Sequence, residues 1–335
     1  MPVDASVFSK SDVLVTGGLG FIGSALARRL VGLEAKVTLV DSLIPEYGGN
    51  LFNIRDIEER VTVHRTDVRD AAAMANLVRG RDFLFNLAGQ TSHLDSMSDP
   101  LTDLQINTNA QLFILEACRS HNPAIRIVFA STRQLYGRPE YLPVDEKHPI
   151  HPVDVNGINK LAGEMYHLLY SDIHGVRASA LRLTNTYGPG MRVKDDRQTF
   201  LGIWIRRLIE GRPIQIFGDG SQRRDFNFVD DVVDALLRSA EASQAQGQVF
   251  NLGHAEHVSL KELAALLVSL NGAGDVEFVP FPSGRQAIDI GDYYSDVSKI
   301  REKLGWSPQV FLREGLGQTL AFYKEHRAHY WEPTT

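Results

Sequence analysis

An α/β fold built on a doubly wound parallel sheet, with a smaller C-terminal lobe, is what this 335-residue sequence predicts. Three observations carry it. The run Asp12-Val13-Leu14-Val15-Thr16 leads straight into Gly17-Gly18-Leu19-Gly20-Phe21-Ile22-Gly23 and the small-residue helical stretch Ser24–Leu30. Short, continuously apolar runs then alternate with helical periods up to Arg182. Past Asn185 that alternation breaks, at Gly188-Pro189-Gly190 and the charged stretch Lys194–Arg197. Strands apolar on both sides, separated by helices, belong to a parallel sheet covered on both faces.

Taken in order, the first strand, Gly-x-x-Gly-x-x-Gly turn and helix form the unit that holds a dinucleotide pyrophosphate, which makes the fold Rossmann-type. Gly17 permits the tight turn, Gly20 lets the backbone approach the phosphates, and Gly23 lets the helix pack on the sheet. Phe21 and Ile22 open that helix, whose amino end faces the anion. The second strand, Lys36–Asp41, ends in a carboxylate suited to both hydroxyls of an adenosine ribose and repelled by a 2′-phosphate. NAD rather than NADP follows. Further strands are expected at Val61–His64, Asp82–Leu87, Arg126–Ser131 and Val176–Arg182, and helices at Ala71–Val78, about 100–121 and about 157–174. The large domain is assigned to 1–184, with some later segments returning to it, and the substrate-binding lobe mainly to 185–335.

Composition narrows the function. A 43% hydrophobic, 23% charged chain of net charge −6 is an ordinary globular protein, and no basic run points to nucleic acid. The single cysteine, Cys118, lies in an apolar helical pattern, which excludes an internal disulfide or cysteine-based metal centre; no metal is expected. No stretch reaches the roughly 18 apolar residues of a membrane span, and the N-terminus lacks a basic segment followed by an apolar one, so a cytoplasmic location is expected.

In open α/β sheets ligands bind beyond the carboxyl ends of the strands. The segments leaving those ends are Leu87-Ala88-Gly89-Gln90, Ser131-Thr132-Arg133-Gln134-Leu135-Tyr136-Gly137 and Asn185-Thr186-Tyr187-Gly188-Pro189. Together with the glycine triplet, Asp41, Asp67-Val68, Lys160 and Arg224-Asp225-Phe226, they resemble the extended short-chain dehydrogenase/reductase family, and within it the nucleotide-sugar epimerases and dehydratases. The likeness runs from Val13 to Trp306-Ser307-Pro308.

The resemblance implies an NAD retained in the site that takes a hydride from a sugar carbon, leaving a ketone, and later returns it. Gly17, Gly20, Phe21, Ile22, Gly23, Asp41, Asp67, Val68, Leu87, Ala88, Gly89 and Lys160 are implied cofactor contacts. Thr132 would hydrogen-bond the oxygen being oxidised. Gln90, Asn107, Asn185, Tyr187, Arg224 and Arg285 are the implied substrate contacts, Asn185 and Arg224 at the diphosphate. The plain alternatives are that Asp67 caps the following helix and that Arg224 pairs with Asp225 at the surface.

Two positions depart from the family pattern. Where members carry Tyr-x-x-x-Lys, this chain reads Asn156-Gly157-Ile158-Asn159-Lys160. Asparagine cannot serve as a general base. Where the 4,6-dehydratases carry an Asp-Glu pair after the threonine, this chain has Arg133-Gln134, so elimination by that route is not expected. The proton acceptor must then be Tyr136, Tyr187, His93 or a neutral Lys160, with Asn156 orienting a hydroxyl or water. The expected function is an NAD-dependent nucleotide-sugar epimerase acting at C4, or at C2. The alternatives are a redox-silent protein binding NAD and a nucleotide sugar, and a dehydratase with a non-standard acid/base set. A homodimer is also implied, pairing the helices at 100–121 and 157–174 through Leu112, Leu115, Ile158, Leu161, Met165 and Leu168.

Overall fold

The structure is a computed structural model that describes residues 3–195, 197, 199–282, 284, 286 and 288–332. Its main sheet has seven strands: β1 (Asp12–Thr16), β2 (Lys36–Asp41), β3 (Val61–Arg65), β4 (Phe83–Asn86), β5 (Arg126–Thr132), β6 (Arg177–Leu183) and β10 (Val249–Asn251). They lie in the order β10-β6-β5-β4-β1-β2-β3, and every neighbouring pair is parallel. Strand order reverses at β1, and the gap between the carboxyl ends of β1 and β4 opens there. Thr16 closes β1 onto that gap. Its hydroxyl donates to Asn86 Oδ1 at 2.9 Å and accepts from the amides of Leu87 and Ala88, each at 3.1 Å.

Apolar cores lie on both faces. On one, the helix Phe21–Gly32 packs with Val229–Glu241 around Leu26, Leu30, Phe85, Leu236 and Trp306. On the other, Ala71–Leu77, Ala110–His121 and Val155–His174 enclose Leu14, Met74, Leu84, Ile114, Leu115 and Ile127. Cys118 is buried in this second core, where burial pushes its thiol up to about 12. The helix Val155–His174 is capped at both ends: the Asp154 carboxylate accepts from the Gly157 amide at 2.7 Å, and Gly175 terminates it at φ +69°.

The predicted helix at 100–121 is not uniform. It runs as Pro100–Leu104 and Ala110–His121, joined by a π-helical turn over Gln105–Asn109. A widened turn of this kind redirects side chains and recurs at functional sites. Here it turns Asn107 and Thr108 inward, onto the Gln90 carbonyl at 2.9 Å and the Asn159 carbonyl at 3.1 Å.

The rest of the chain forms a second lobe. Strands β7 (Asn185–Tyr187), β9 (Arg223–Phe228) and β11 (His257–Ser259) make a three-stranded sheet, and β8 (Ile214–Phe217) pairs with β12 (Val276–Val279). Helices Phe200–Ile209, Leu260–Asn271 and Leu312–His326 enclose a core of Trp204, Ile205, Leu267, Leu316 and Tyr323. Among the described residues no helix is long and apolar enough to cross a membrane.

Candidate active site

A single cavity of about 600 Å³ runs from the glycine turn across the ends of β1, β4 and β5 into the second lobe. Each end is built by different chemistry.

At the first-lobe end, Gly17 adopts φ +68°, a conformation that disfavours any other residue. A Cβ on Gly23 would lie 2.1 Å from the Gly17 carbonyl oxygen, so only glycine lets the helix start against the turn. A Cβ on Gly17 would meet the Ala88 backbone at 3.1 Å. Gly20 caps the helix without a side chain, and the amides of Phe21, Ile22 and Gly23, which have no intrahelical acceptor, lie on the cavity wall. The Asp41 carboxylate accepts from the amides of Leu19 at 3.1 Å and Leu43 at 2.9 Å, and burial raises its pKa. Asp67, Val68, Leu87, Ala88 and Gly89 complete this end. Asp67 does not cap the following helix. Asp70 does, accepting from Ala73, while Asp67 accepts from the guanidinium of Arg69 at 2.6 Å. These residues fit a dinucleotide: a glycine turn with no Cβ in the way, a helix amino end without a side-chain cap, and a carboxylate at the end of the next strand.

In the middle, the Lys160 ammonium is buried and donates to the Ala130 carbonyl at 2.8 Å. Desolvation brings its pKa down to about 8, against an opposing pull from Asp103. Gly89 leaves room for it, since a Cβ there would stand 3.1 Å from Lys160 Nζ and 2.9 Å from Asn107 Oδ1. Thr132, ending β5, accepts from the Gln134 amide at 3.2 Å. His93 begins the short helix His93–Ser98, and its Nδ1 lies 3.0 Å from Asp154 Oδ2. Asp154 also accepts from Gln134 Nε2 at 2.8 Å. Burial works against its ionisation, but these contacts and the helix amide outweigh it and hold the pKa below the usual carboxylate range.

Asn156 is on the wall but committed. Its Nδ2 donates to the Gln90 carbonyl at 2.8 Å and to Asp103 Oδ2 at 3.0 Å, while Asn159 donates to Asp103 Oδ1 at 2.8 Å. Gln90 and Asn107 sit behind the wall: both are buried, and the Asn107 amide is spent on the Gln90 carbonyl.

The structure does not bring the two tyrosines to the cavity. Tyr136 is fully buried, its hydroxyl donating to Asn251 Oδ1 at 2.7 Å and accepting from Arg182 at 2.6 Å. Burial pushes its pKa up to about 12, although Arg182 pulls the other way. Tyr187 lies in the second-lobe core against Phe226 and Phe228, and burial raises its pKa further still. Neither phenol lines the cavity that Thr132 lines, which corrects the expectation that either replaces the missing base. Of the four candidate acceptors, His93 and Lys160 remain.

At the second-lobe end, Asn185 donates to the Asp225 carbonyl at 3.0 Å. Arg224 is buried, and its guanidinium donates to the Arg223 carbonyl at 2.9 Å and to the Gly291 carbonyl. It makes no surface pair with Asp225, whose oxygens are engaged by Thr184 at 2.6 Å and the Ser295 amide at 3.0 Å. Desolvation, then the neighbouring charge of Arg133, brings Arg224 down to about 10. Arg285 lies outside the described residues. Sequence reasoning missed three members. Asp154 was legible only as a helix cap; Asp103 had no signal; Arg133, beside Thr132, was read only as the loss of an acid.

The chain's likeness to known proteins agrees with this geometry. The NAD dependent epimerase/dehydratase family matches residues 13–253. A UDP-glucose 4-epimerase of Mycolicibacterium smegmatis is 34% identical over 313 residues, spanning 93% of this chain and 98% of its own. The structure of a UDP-glucose 4-epimerase from Thermotoga maritima, with UDP-glucose, superposes with a TM-score of 0.87 at 30% identity, covering 94% of this chain and 99% of that one. A dTDP-glucose 4,6-dehydratase from Streptomyces venezuelae, solved with NAD bound, gives 0.87 at 26% identity over 96% and 99%. With the cavity's cradle, free amides and ribose carboxylate already accounted for, the chain belongs to the NAD dependent epimerase/dehydratase family, in its extended short-chain dehydrogenase/reductase group of nucleotide-sugar enzymes, and NAD is its cofactor.

Proposed function

We propose that the protein is a nucleotide-sugar epimerase that inverts a sugar carbon, C4 first and C2 as the alternative, through a transient keto-sugar. The observation that carries this reading is the His93–Asp154 contact of 3.0 Å on the wall of the cavity that also exposes Thr132 and Lys160. The contact is at ion-pair distance without hydrogen-bond geometry at Nδ1, and a carboxylate this close to the ring favours the imidazolium that forms when Nε2 takes a proton.

Bound NAD supplies a nicotinamide ring that accepts a hydride from the sugar carbon and gives it back. The chain's residues do the rest. The glycine turn and Asp41 hold the dinucleotide, and Lys160 steadies the nicotinamide ribose. Thr132 hydrogen-bonds the reacting hydroxyl, and His93 takes its proton as the carbonyl forms, then returns it when the carbonyl is reduced from the other face. Asp154 stabilises the imidazolium in between. Asn185 and Arg224 hold the diphosphate. Elimination is disfavoured because the residues after Thr132 are Arg133 and Gln134, neither of which can exchange a proton with a carbon acid at neutral pH. The UDP-glucose 4-epimerases among the relatives support C4.

We also propose a homodimer. Leu101, Ile158, Met165, Leu169 and Ile173 are exposed, from 50% to 68%, on the two helical runs at 100–121 and 155–174. An apolar stripe of this size on a water-facing helix pair calls for a partner surface. Leu115 does not belong to it; it is fully buried on the sheet.

A panel of UDP-, dTDP-, GDP- and CDP-sugars followed by NMR tests the reaction. Inversion at one carbon is expected, with a transient rise of absorbance in the reduced-nicotinamide band. Neither signal with any sugar would leave a redox-silent binding protein.

A further inference from the structure

Where the middle of the cavity meets its second-lobe end, a guanidinium is left with an open hydrogen-bond donor. Arg133 follows Thr132 directly as the chain leaves β5, and its guanidinium lies on the cavity wall. Its Nη2 donates to Asn185 Oδ1 at 3.2 Å, and its Cζ stands 4.9 Å from the centre of the Tyr293 ring. Its Nη1 is shielded from solvent and hydrogen-bonded to nothing. It makes no ion pair among the described residues. The nearby carboxylates already have partners: Asp225 has Thr184 and the Ser295 amide, Asp154 has His93, Gln134 and Gly157, and Asp289 has Gln222 at 2.8 Å and Arg224 at 3.7 Å. A second guanidinium, the buried Arg224, lies close enough that the charge of Arg133 adds to desolvation in lowering its pKa.

Enclosing a guanidinium with an open donor and no direct ion pair is costly, and the cost is relieved when a ligand brings an anion to it. A planar fork with a free edge suits a carboxylate. The diphosphate has its own cation in Arg224, contributed by β9 of the other lobe, whereas Arg133 is bonded in sequence to the residue at the reacting oxygen. We propose that Arg133 binds a carboxylate carried on the sugar ring, so that the preferred substrate is a nucleotide-diphosphate uronic acid. This rests on the nucleotide-sugar reading and on Thr132 marking the sugar subsite.

The test is calorimetric titration of the NAD-loaded protein with UDP, UDP-glucose and UDP-glucuronate, for the wild type, Arg133→Gln and Arg133→Lys. The wild type is expected to bind UDP-glucuronate roughly ten- to a hundredfold more tightly than UDP-glucose, the range of a charge-assisted hydrogen-bonded pair. Arg133→Gln should abolish that preference, weakening UDP-glucuronate at least about tenfold more than UDP or UDP-glucose, and Arg133→Lys should retain part of it. A wild type without preference, or a preference that survives in Arg133→Gln, overturns the assignment. Equal weakening of all three ligands in Arg133→Gln also overturns it, placing Arg133 at the diphosphate. If Arg133→Gln does not fold, the wild-type preference and its reduction in Arg133→Lys decide the matter. Failure to bind any of the three would sink the nucleotide-sugar reading itself, a different outcome from binding without preference.

Discussion

Asn156 donates its side-chain amide to one oxygen of Asp103 at 3.0 Å, and Asn159 donates to the other at 2.8 Å. The carboxylate is fully buried, and both its oxygens are met by side-chain amides while the Lys160 ammonium interacts with it electrostatically. The asparagine in the tyrosine position therefore has a structural task that a phenol of different length and shape does not reproduce.

Replacing Asn156 with Leu keeps the volume and removes the donor. The variant should lose about 1–3 kcal/mol of stability, the cost of leaving a buried acceptor short of a partner, read as a lower urea midpoint at unchanged slope. Asn156→Asp sets a second carboxylate beside Asp103. Its loss should be larger at pH 7 than near pH 4, because protonating one of the pair removes the repulsion.

For His93, substitution by Gln should lower kcat by about 10² to 10⁴, with KM changed little, since the group acts on a proton in the transition state. Asp154→Asn retains a helix cap but removes the charge that orients the ring. A kcat reduced by about tenfold or more, with circular dichroism unchanged and an altered pH profile, is the expected result. Full activity in both variants would point to Lys160 as the proton acceptor.

Lys160 makes stability depend on pH in a defined direction. Its pKa is about 8 in the folded protein against an ordinary 10.5, so between those values the unfolded chain binds more protons than the folded one. Stability of the cofactor-free protein should accordingly rise from pH 8 toward 10.5 through this group, by up to about 3 kcal/mol, and the protonated form costs that much below pH 8. Arrayed against the wild type, Lys160→Met should flatten this slope in urea titrations at successive pH values.

The pairing face can be tested by charge. Ile158→Glu with Met165→Glu places carboxylates at two exposed apolar positions, 55% and 60% accessible. Light scattering should report a dimer for the wild type and a folded monomer for the double variant. A wild-type monomer would remove the pairing.

How far the sequence revealed all this depended on the range of the forces involved. Much of the first lobe was legible because its central strands are continuous apolar runs and some of its helices carry their own caps, as with Asp70 before Ala71–Leu77 and Asp154 before Val155–His174. The π-helical turn at Gln105–Asn109 left no trace, since it reflects packing of Asn107 and Thr108 against distant backbone. The second lobe was opaque because β7 and β11 have three residues each and β8 finds its partner about sixty residues away in β12. In the site, residues at strand ends were found by position alone. Tyr136 and Tyr187 were not resolved, because a side chain's direction on a short turn is decided by what it packs against, Arg182 and Asn251 for one and Phe228 for the other.

The seventh strand has a practical consequence. β10 comes from residues 249–251, yet it pairs with β6 of the main sheet, and Trp306 donates to the Asp231 carbonyl from within the first-lobe core. A fragment ending near residue 184 would expose β6 as a raw, hydrogen-bonding edge and strip apolar residues from the helix layer beneath it. Such a truncation would tend to aggregate, and swapping lobes between relatives requires exchanging two separate stretches of gene at once.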